Sequence, residues 1–148
     1  MKRLTLAALA LSTVSASALA QAPAASWAAN ATYVIMTPRI EGNTNLVSGG
    51  DLQTVLAAMQ RDSAGAIKRR FPAATISETA GPNVVKVTPT LVAPSALVPW
   101  AKVSARLDFD LPSGQRVSVS DTYSVIALYE HRADAANFLF DQLMKRVR

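Results

Sequence analysis

The sequence offers few side chains that could act in catalysis, and it contains a single histidine. A Ser–His–Asp hydrolase would use His131 as the base, with Asp121 or Asp134 to orient it and a serine as the nucleophile. The Gly-x-Ser-x-Gly segment that positions the serine in many hydrolases is absent. We therefore assign no catalytic residue, and a small secreted hydrolase that uses His131 with an aspartate is an alternative interpretation.

Metal ligands are equally scarce, because the chain has one histidine and no cysteine. Transition-metal sites need several such ligands, so we expect no metal and no cofactor. Asp108 and Asp110 lie two residues apart and could contact Ca²⁺, but the spacing of a calcium-binding loop is absent. Arg106 and Arg116 explain the two carboxylates better, as part of a solvated, charged face.

A first candidate binding surface lies in the segment 93–100, which contains two prolines. Leu97, Val98 and Trp100 are large apolar residues in a predicted loop, where such residues need an explanation. They either fold back onto the core or form an exposed patch that suits a partner protein. The sequence leaves both arrangements open.

A second candidate surface is basic. Arg61, Lys68, Arg69 and Arg70 lie at one end of a predicted helix. Such residues commonly complement the helix dipole, and the alternative is contact with an anionic envelope polymer or with lipid head groups.

The first 20 residues have the pattern of a secretory signal peptide. A basic start is followed by an apolar stretch and by small residues that end in Ala18, Leu19 and Ala20. Cleavage after Ala20 removes two cations and lowers the net charge from +5 to +3, which is too small to indicate nucleic-acid binding. The apolar stretch is too short to span a bilayer, so we expect a bacterial periplasmic or secreted protein without a transmembrane segment.

The rest of the chain predicts a flexible lead-in over residues 21–31 and one domain over 32–148. Residues 32–37 predict a strand, and residues 41–50 predict a loop. Apolar residues at three- and four-residue steps predict an amphipathic helix over 51–71, ended by Pro72. Residues 75–79 and 84–92 predict a hairpin around a Gly-Pro-Asn turn, with Pro89 at an edge or a bulge.

Strict alternation of apolar and polar residues over 101–125 predicts a second, longer hairpin around Gly114. Its register pairs Phe109 with Val117 and Leu107 with Val119. This register places Asp121 on the apolar face, where a carboxylate must find a partner or lie at the rim. A final amphipathic helix follows, with Asp134 at its start and apolar positions Ala135, Phe138, Leu139, Leu143 and Val147.

These elements predict an α+β two-layer sandwich, in which two helices pack on a mostly antiparallel sheet of about five strands in the order β-α-β-β-β-β-α. In this order of elements, over residues 32–148, the chain resembles small accessory domains of bacterial envelope systems. They include the N-terminal domain of the Tol system's propeller protein and the curli-secretion lipoprotein fold. The resemblance implies an accessory role in the envelope and carries over no functional residue.

Three functions are open at this point. The first is a non-catalytic envelope protein that binds a partner protein or an anionic envelope component. The second is the hydrolase that would use His131. The third is a periplasmic module that holds a small apolar ligand between the sheet and the helices.

Overall fold

A computed structural model describes residues 27–46 and 49–147. The predicted signal peptide and the first part of the predicted lead-in, residues 21–26, lie outside the described residues. The elements in chain order are β1 (Thr32–Ile35), β2 (Arg39–Gly42), a 3-10 turn (Thr44–Leu46), α1 (Gly49–Arg70), β3 (Thr75–Ser77), β4 (Val85–Ala93), β5 (Lys102–Asp110), β6 (Arg116–Ser124), α2 (Val125–His131), a 3-10 turn (Arg132–Asp134) and α3 (Ala135–Met144).

The predicted α+β class is confirmed, with helices packed on a single sheet. The strand order is β3-β1-β4-β5-β6, and β2 also pairs with β4. The two long pairings, β4 with β5 and β5 with β6, are antiparallel, while the short pairings of β1 and β2 are parallel. The sheet is therefore mixed, with six strands rather than five and three α-helices rather than two.

The predicted register of the long hairpin is confirmed. Phe109 pairs with Val117 and Leu107 with Val119, as the alternation requires. Gly114 has a φ of +88°, which is the left-handed conformation expected in the connecting loop. The register is readable from the sequence because a slip of one residue would turn every apolar side chain of β5 toward solvent.

The predicted hairpin of residues 75–79 with 84–92 is wrong. β3 and β4 do not pair, because β1 lies between them and is parallel to both. Ile76 and Val85 both align with Tyr33, so the Gly-Pro-Asn segment carries the chain back across β1 to start a new parallel strand. A three-residue strand does not specify its partner locally, and α1 supplies the long connection that lets β3 pair with β1.

Pro89 lies in the interior of the sheet, opposite the irregular segment that connects β1 to β2. The N–H of Met36 donates to the Val87 carbonyl, 2.7 Å away, so odd-numbered residues of β4 direct their backbone polar groups toward β1 and β2. Pro89 lacks an N–H on that side. Three residues from Met36 to Pro38 oppose only two on β4, which is a bulge. The bulge alternative for Pro89 is therefore the correct one.

The core fills the space between the sheet and the helices. Ala105, Leu107 and Phe109 of β5 are completely buried, and they meet the apolar stripes of α1 and α3. The buried helical residues include Met59, Ala66 and Ile67 of α1 and Leu139, Phe140 and Leu143 of α3.

Part of the predicted lead-in packs against this core. The ring of Trp27 lies 5.4 Å from that of Phe109, and Ala28 is fully buried. The hydroxyl of Tyr33 donates to the Ala28 carbonyl at 2.7 Å, and burial raises the pKa of Tyr33 so that the donor proton is retained. Residues 27 and 28 thus anchor the chain at one end of β1.

Two elements differ from the sequence prediction at their ends. The predicted loop of residues 41–50 contains the end of β2, where Gly42 has a φ of +82° and a Cβ would clash with the Ala93 carbonyl oxygen. At the other end of the chain, Val125 begins α2 and does not continue β6. Asp134 precedes α3 as predicted, but its side chain makes no capping hydrogen bond.

We expect Phe109→Ala to lower the free energy of unfolding by about 3–5 kcal/mol, because the ring is completely buried and packs against the rings of Trp27 and Tyr33. Urea unfolding followed by circular dichroism measures this loss. Ser120→Ala is the matched control on the exposed face of the same hairpin, and it should change stability by less than about 0.5 kcal/mol. Equal midpoints for the two variants would contradict this packing.

Candidate functional site

Among residues 27–46 and 49–147, four large apolar side chains are exposed, and all lie on two adjoining segments at one end of the sheet. We call them the apolar patch: Leu97 is 61% exposed, Trp100 78%, Ile126 52% and Tyr129 78%. Trp100 and Tyr129 expose more than three quarters of their surface. These exposures make the patch the candidate functional site.

A tight turn places Trp100. The N–H of Ala101 donates to the carbonyl of Val98 at 2.9 Å, which closes a four-residue turn with Pro99 and Trp100 at its centre. Proline suits this position because its ring fixes φ near −65°. Ala101 is buried, so the turn is anchored while its Trp100 side chain points away from the core.

A capped helix places Ile126 and Tyr129 beside that turn. The carbonyl of Ala101 accepts the N–H of Val125 at 3.0 Å, which joins the turn to the start of α2. The Ser124 hydroxyl accepts the N–H of Ala127 at 3.1 Å and caps the helix. Residues three apart share a helix face, so Ile126 and Tyr129 project together.

The structure decides between the two arrangements that the sequence left open for the 93–100 segment. Leu97 and Trp100 do not fold back onto the core, and Val98 is half-buried. Ile126 and Tyr129 complete the patch, and the sequence does not single them out because the alternation continues through Val125. A signal for α2 is present, since Ser124 stands as an N-cap before Val125.

The four predicted basic residues make contacts within the chain. Arg61 pairs with Asp62 at 2.8 Å, and the ammonium group of Lys68 donates to the carbonyl of Ala74 at 2.6 Å. The guanidinium of Arg69 donates to Asp141 at 2.9 Å.

Arg70 is also engaged within the chain. It donates to the carbonyl of Val147 at 3.3 Å and lies over the Phe71 ring. The last three of the four basic residues therefore connect the end of α1 to its neighbours, and the structure does not gather the four into one free basic surface.

The candidate residues of the alternative hydrolase interpretation contact other groups of the chain. His131 is exposed and stacks on Phe138, with ring centroids 3.8 Å apart. Asp121 accepts hydrogen bonds from Arg146 at 2.5 Å and from the N–H of Thr122 at 2.8 Å. Within residues 27–46 and 49–147, no hydrogen bond joins His131 to Asp121 or Asp134.

Asp121 is satisfied in the way that its position on the apolar face requires. The N–H of Thr122 and then the Arg146 guanidinium hold the pKa of its carboxyl below the usual range. Burial, with Asp121 nearby, raises the pKa of Tyr123 to about 12. Arg146 follows α3, so this ion pair connects the C-terminal segment to the edge of the sheet.

The sheet face away from the helices carries a network of opposite charges, and Asp108 within it is buried, 8% exposed, and not solvated as predicted. Arg106 donates to Asp108 at 3.0 Å and to Glu41 at 3.4 Å, and Ser118 donates to Asp108 at 2.5 Å. Arg116 pairs with Asp110 at 2.6 Å, and its hydrogen bond lowers the pKa of Asp110. Among the described residues, no three histidine, aspartate or glutamate side chains lie close enough together to hold a metal ion.

No protein-family model and no curated protein matches the chain. Solved structures that are similar to it include the following two. One is a dodecamer of a PelC variant from Paraburkholderia phytofirmans, with 9% identity, a TM-score of 0.47, and coverage of 78% of this chain and 83% of that one. The other is the hypothetical protein CT253 from Chlamydia trachomatis, with 11% identity, a TM-score of 0.40, and coverage of 80% of this chain and 94% of that one. Neither is described as a Tol-system or curli-secretion protein, so that resemblance is not confirmed.

Within the described part of the chain, no helix combines the length and the apolar character needed to cross a bilayer.

We expect Asp121→Asn to lower the free energy of unfolding by about 0.2–1 kcal/mol at pH 7, because the ion pair with Arg146 is partly exposed. The pKa of Asp121 is lower in the folded state than its unfolded value of about 3.9. The ionised carboxylate therefore stabilises the fold above about pH 3.9, and this stabilisation is lost as the pH falls through the pKa of the folded state. The difference between wild type and variant should therefore vanish in acid. Urea unfolding at pH 7 and pH 2 measures it.

The partner variant Arg146→Gln tests the same contact from the other side. The double variant should lose less than the sum of the two single losses, since both remove one interaction. A difference that stays constant between pH 7 and pH 2 would contradict the assignment.

Proposed function

We propose that this chain is a non-catalytic, exported protein of the bacterial cell envelope that binds a partner protein through the apolar patch. The observation that carries the proposal is the exposure of Leu97, Trp100, Ile126 and Tyr129 on two adjoining segments. Large apolar side chains exposed on adjoining segments of a small domain are typical of an interaction site.

The composition of the patch favours a protein partner. Tryptophan and tyrosine dominate the residues that contribute most to protein–protein binding, because their rings bury much surface and their polar atoms can still pair. The patch contains one of each, and both are more exposed than its aliphatic residues. Trp100 and Tyr129 are accordingly the residues we expect to bind most strongly.

The patch is held in place before any partner arrives. The turn at Pro99 fixes Trp100, and the Ser124 cap fixes the first turn of α2. Preorganised side chains lose less conformational entropy on binding, which leaves more of the contact energy for affinity.

The basic residues support a protein partner over an anionic polymer or lipid. Lys68, Arg69 and Arg70 donate to atoms of the chain itself, so part of their hydrogen-bonding capacity is already used within the fold. The proposal of export rests on the sequence of residues 1–20, which has the three regions of a signal peptide.

The patch proposal predicts that Trp100→Ala combined with Tyr129→Ala reduces capture of one envelope protein by more than about tenfold, since two central aromatic contacts are worth well over 1.4 kcal/mol. Wild-type and variant baits are incubated with an envelope extract of the native cell, and the captured proteins are quantified by mass spectrometry. Affinity for the purified partner is then titrated.

Gln115→Ala, in the loop at the opposite end of the β5–β6 hairpin, is the control bait and should capture as wild type does. Each variant should keep its free energy of unfolding within about 0.5 kcal/mol, because the altered side chains are exposed. If the three baits capture the same proteins in equal amounts, the patch is not the binding surface.

The non-catalytic part of the proposal has its own test. We expect the purified mature chain to show no esterase, protease or glycosidase turnover, because Asp121 is engaged by Arg146 and His131 by Phe138. A substrate panel measures this, with His131→Ala as the comparison. Turnover that is present in the wild type and lost in His131→Ala would overturn the proposal in favour of the hydrolase.

A further inference from the structure

A cleft of about 370 Å³ lies between α1, α3 and the sheet, apart from the apolar patch. Its two walls have the same spacing, since each helix contributes residues at i, i+1, i+4 and i+5. The α1 wall includes Val55 and Ala58, and the α3 wall includes Ala136 and Leu139. Leu91 of β4 also lines the cleft. The cleft is therefore a slot between two helices over the sheet.

The helices are joined at one end of this slot. Arg69, in the last turn of α1, donates to Asp141 and to Asn137 of α3 at 2.9 and 3.0 Å. Arg70 donates to the carbonyl of Val147. The slot lies toward the N-terminal halves of both helices, where Thr54 and Ala133 are exposed at its mouth.

The chemistry of the slot excludes a polar occupant. No residue that lines it is charged, and Thr54 carries the one hydroxyl. That hydroxyl donates to the Gly50 carbonyl at 3.3 Å, so it is engaged on its own helix. A buried water needs two to four polar partners, which these walls do not provide.

The size of the slot is that of a ligand site. Packed interiors contain few voids larger than a water molecule, whereas ligand clefts begin near 300 Å³. Alanines at Ala58, Ala133, Ala135 and Ala136 leave the space open, and Met59, Leu139 and Phe140 are buried beneath it. Four residues of each wall span about 7–8 Å along the helix axes, so the walls enclose part of an extended alkyl chain of twelve carbons and the rest continues to the mouth at Thr54 and Ala133.

We propose that this slot binds the linear alkyl chain of a single-chain amphiphile, with the head group outside at Thr54 and Ala133. The proposal is independent of the partner protein. Ile126 and Tyr129 lie on the outer face of α2, while Leu128 of the same helix lines the slot. A failure of one proposal therefore leaves the other in place.

The probes are dodecanoate and dodecylphosphocholine, below their micelle concentrations, with octanoate as the short chain. The two dodecyl compounds share an alkyl chain and differ in their head groups. Isothermal titration of the mature chain should show saturable binding of both dodecyl compounds with affinities within about fivefold of each other, and weaker binding of octanoate. Each dodecyl compound should also raise the melting temperature.

Ala58→Phe fills the slot from α1 and should weaken dodecyl binding by more than tenfold. Ala57→Phe is the matched control, because Ala57 is the next residue on the exposed face and carries the same change in helix propensity. Ala136→Phe blocks the slot from the opposite wall and provides a second test if Ala58→Phe does not fold by circular dichroism.

Three results would overturn the proposal. They are no binding of either dodecyl compound to the wild type, equal binding by wild type and the folded blocking variant, and binding of dodecanoate alone. The last result would show that the head group carries recognition.

Discussion

Burial of one face of β5 beneath two helices is the constraint on which the rest of the structure depends. Ala105, Leu107 and Phe109 are completely enclosed, and the residues between them must face the other way. This fixes the registers of β4 and β6 on either side. Those registers bring the chain before β5 and the chain after β6 to the same end of the sheet, where Ala101 meets Val125. The apolar patch is a consequence of that meeting.

The parts of the fold that the sequence predicts are those specified by local repetition. Alternation over β5 and β6 determines their pairing because a slip would expose every apolar residue, and α1 is specified by its stripe and by Pro72. β3 has three residues and β2 has four, so neither carries a pattern that selects a partner. Their positions depend on contacts distant in sequence, such as the insertion of β1 between β3 and β4.

The candidate site likewise combines features that local sequence predicts with features that depend on contacts distant in sequence. Residue types identify Leu97 and Trp100 as unusual for a loop. Their exposure depends on the turn closed by Val98 and Ala101 and on the hydrogen bond between Ala101 and Val125, and sequence spacing does not reveal the second contact. The register of the long hairpin predicts that Asp121 needs a partner, and the path of the chain after α3 supplies Arg146. The basic end of α1 is visible in the sequence, whereas its use in joining helices is not.

β6 is the last strand of the sheet over nine residues, and no other strand of the described chain pairs along its outer side. An unpaired border of this length is a template for association between molecules. Its solvent-facing positions are Arg116, Ser118, Ser120, Thr122 and Ser124, all hydrophilic. These side chains stay hydrated along the whole margin, and their hydration opposes the stacking of sheets from separate molecules.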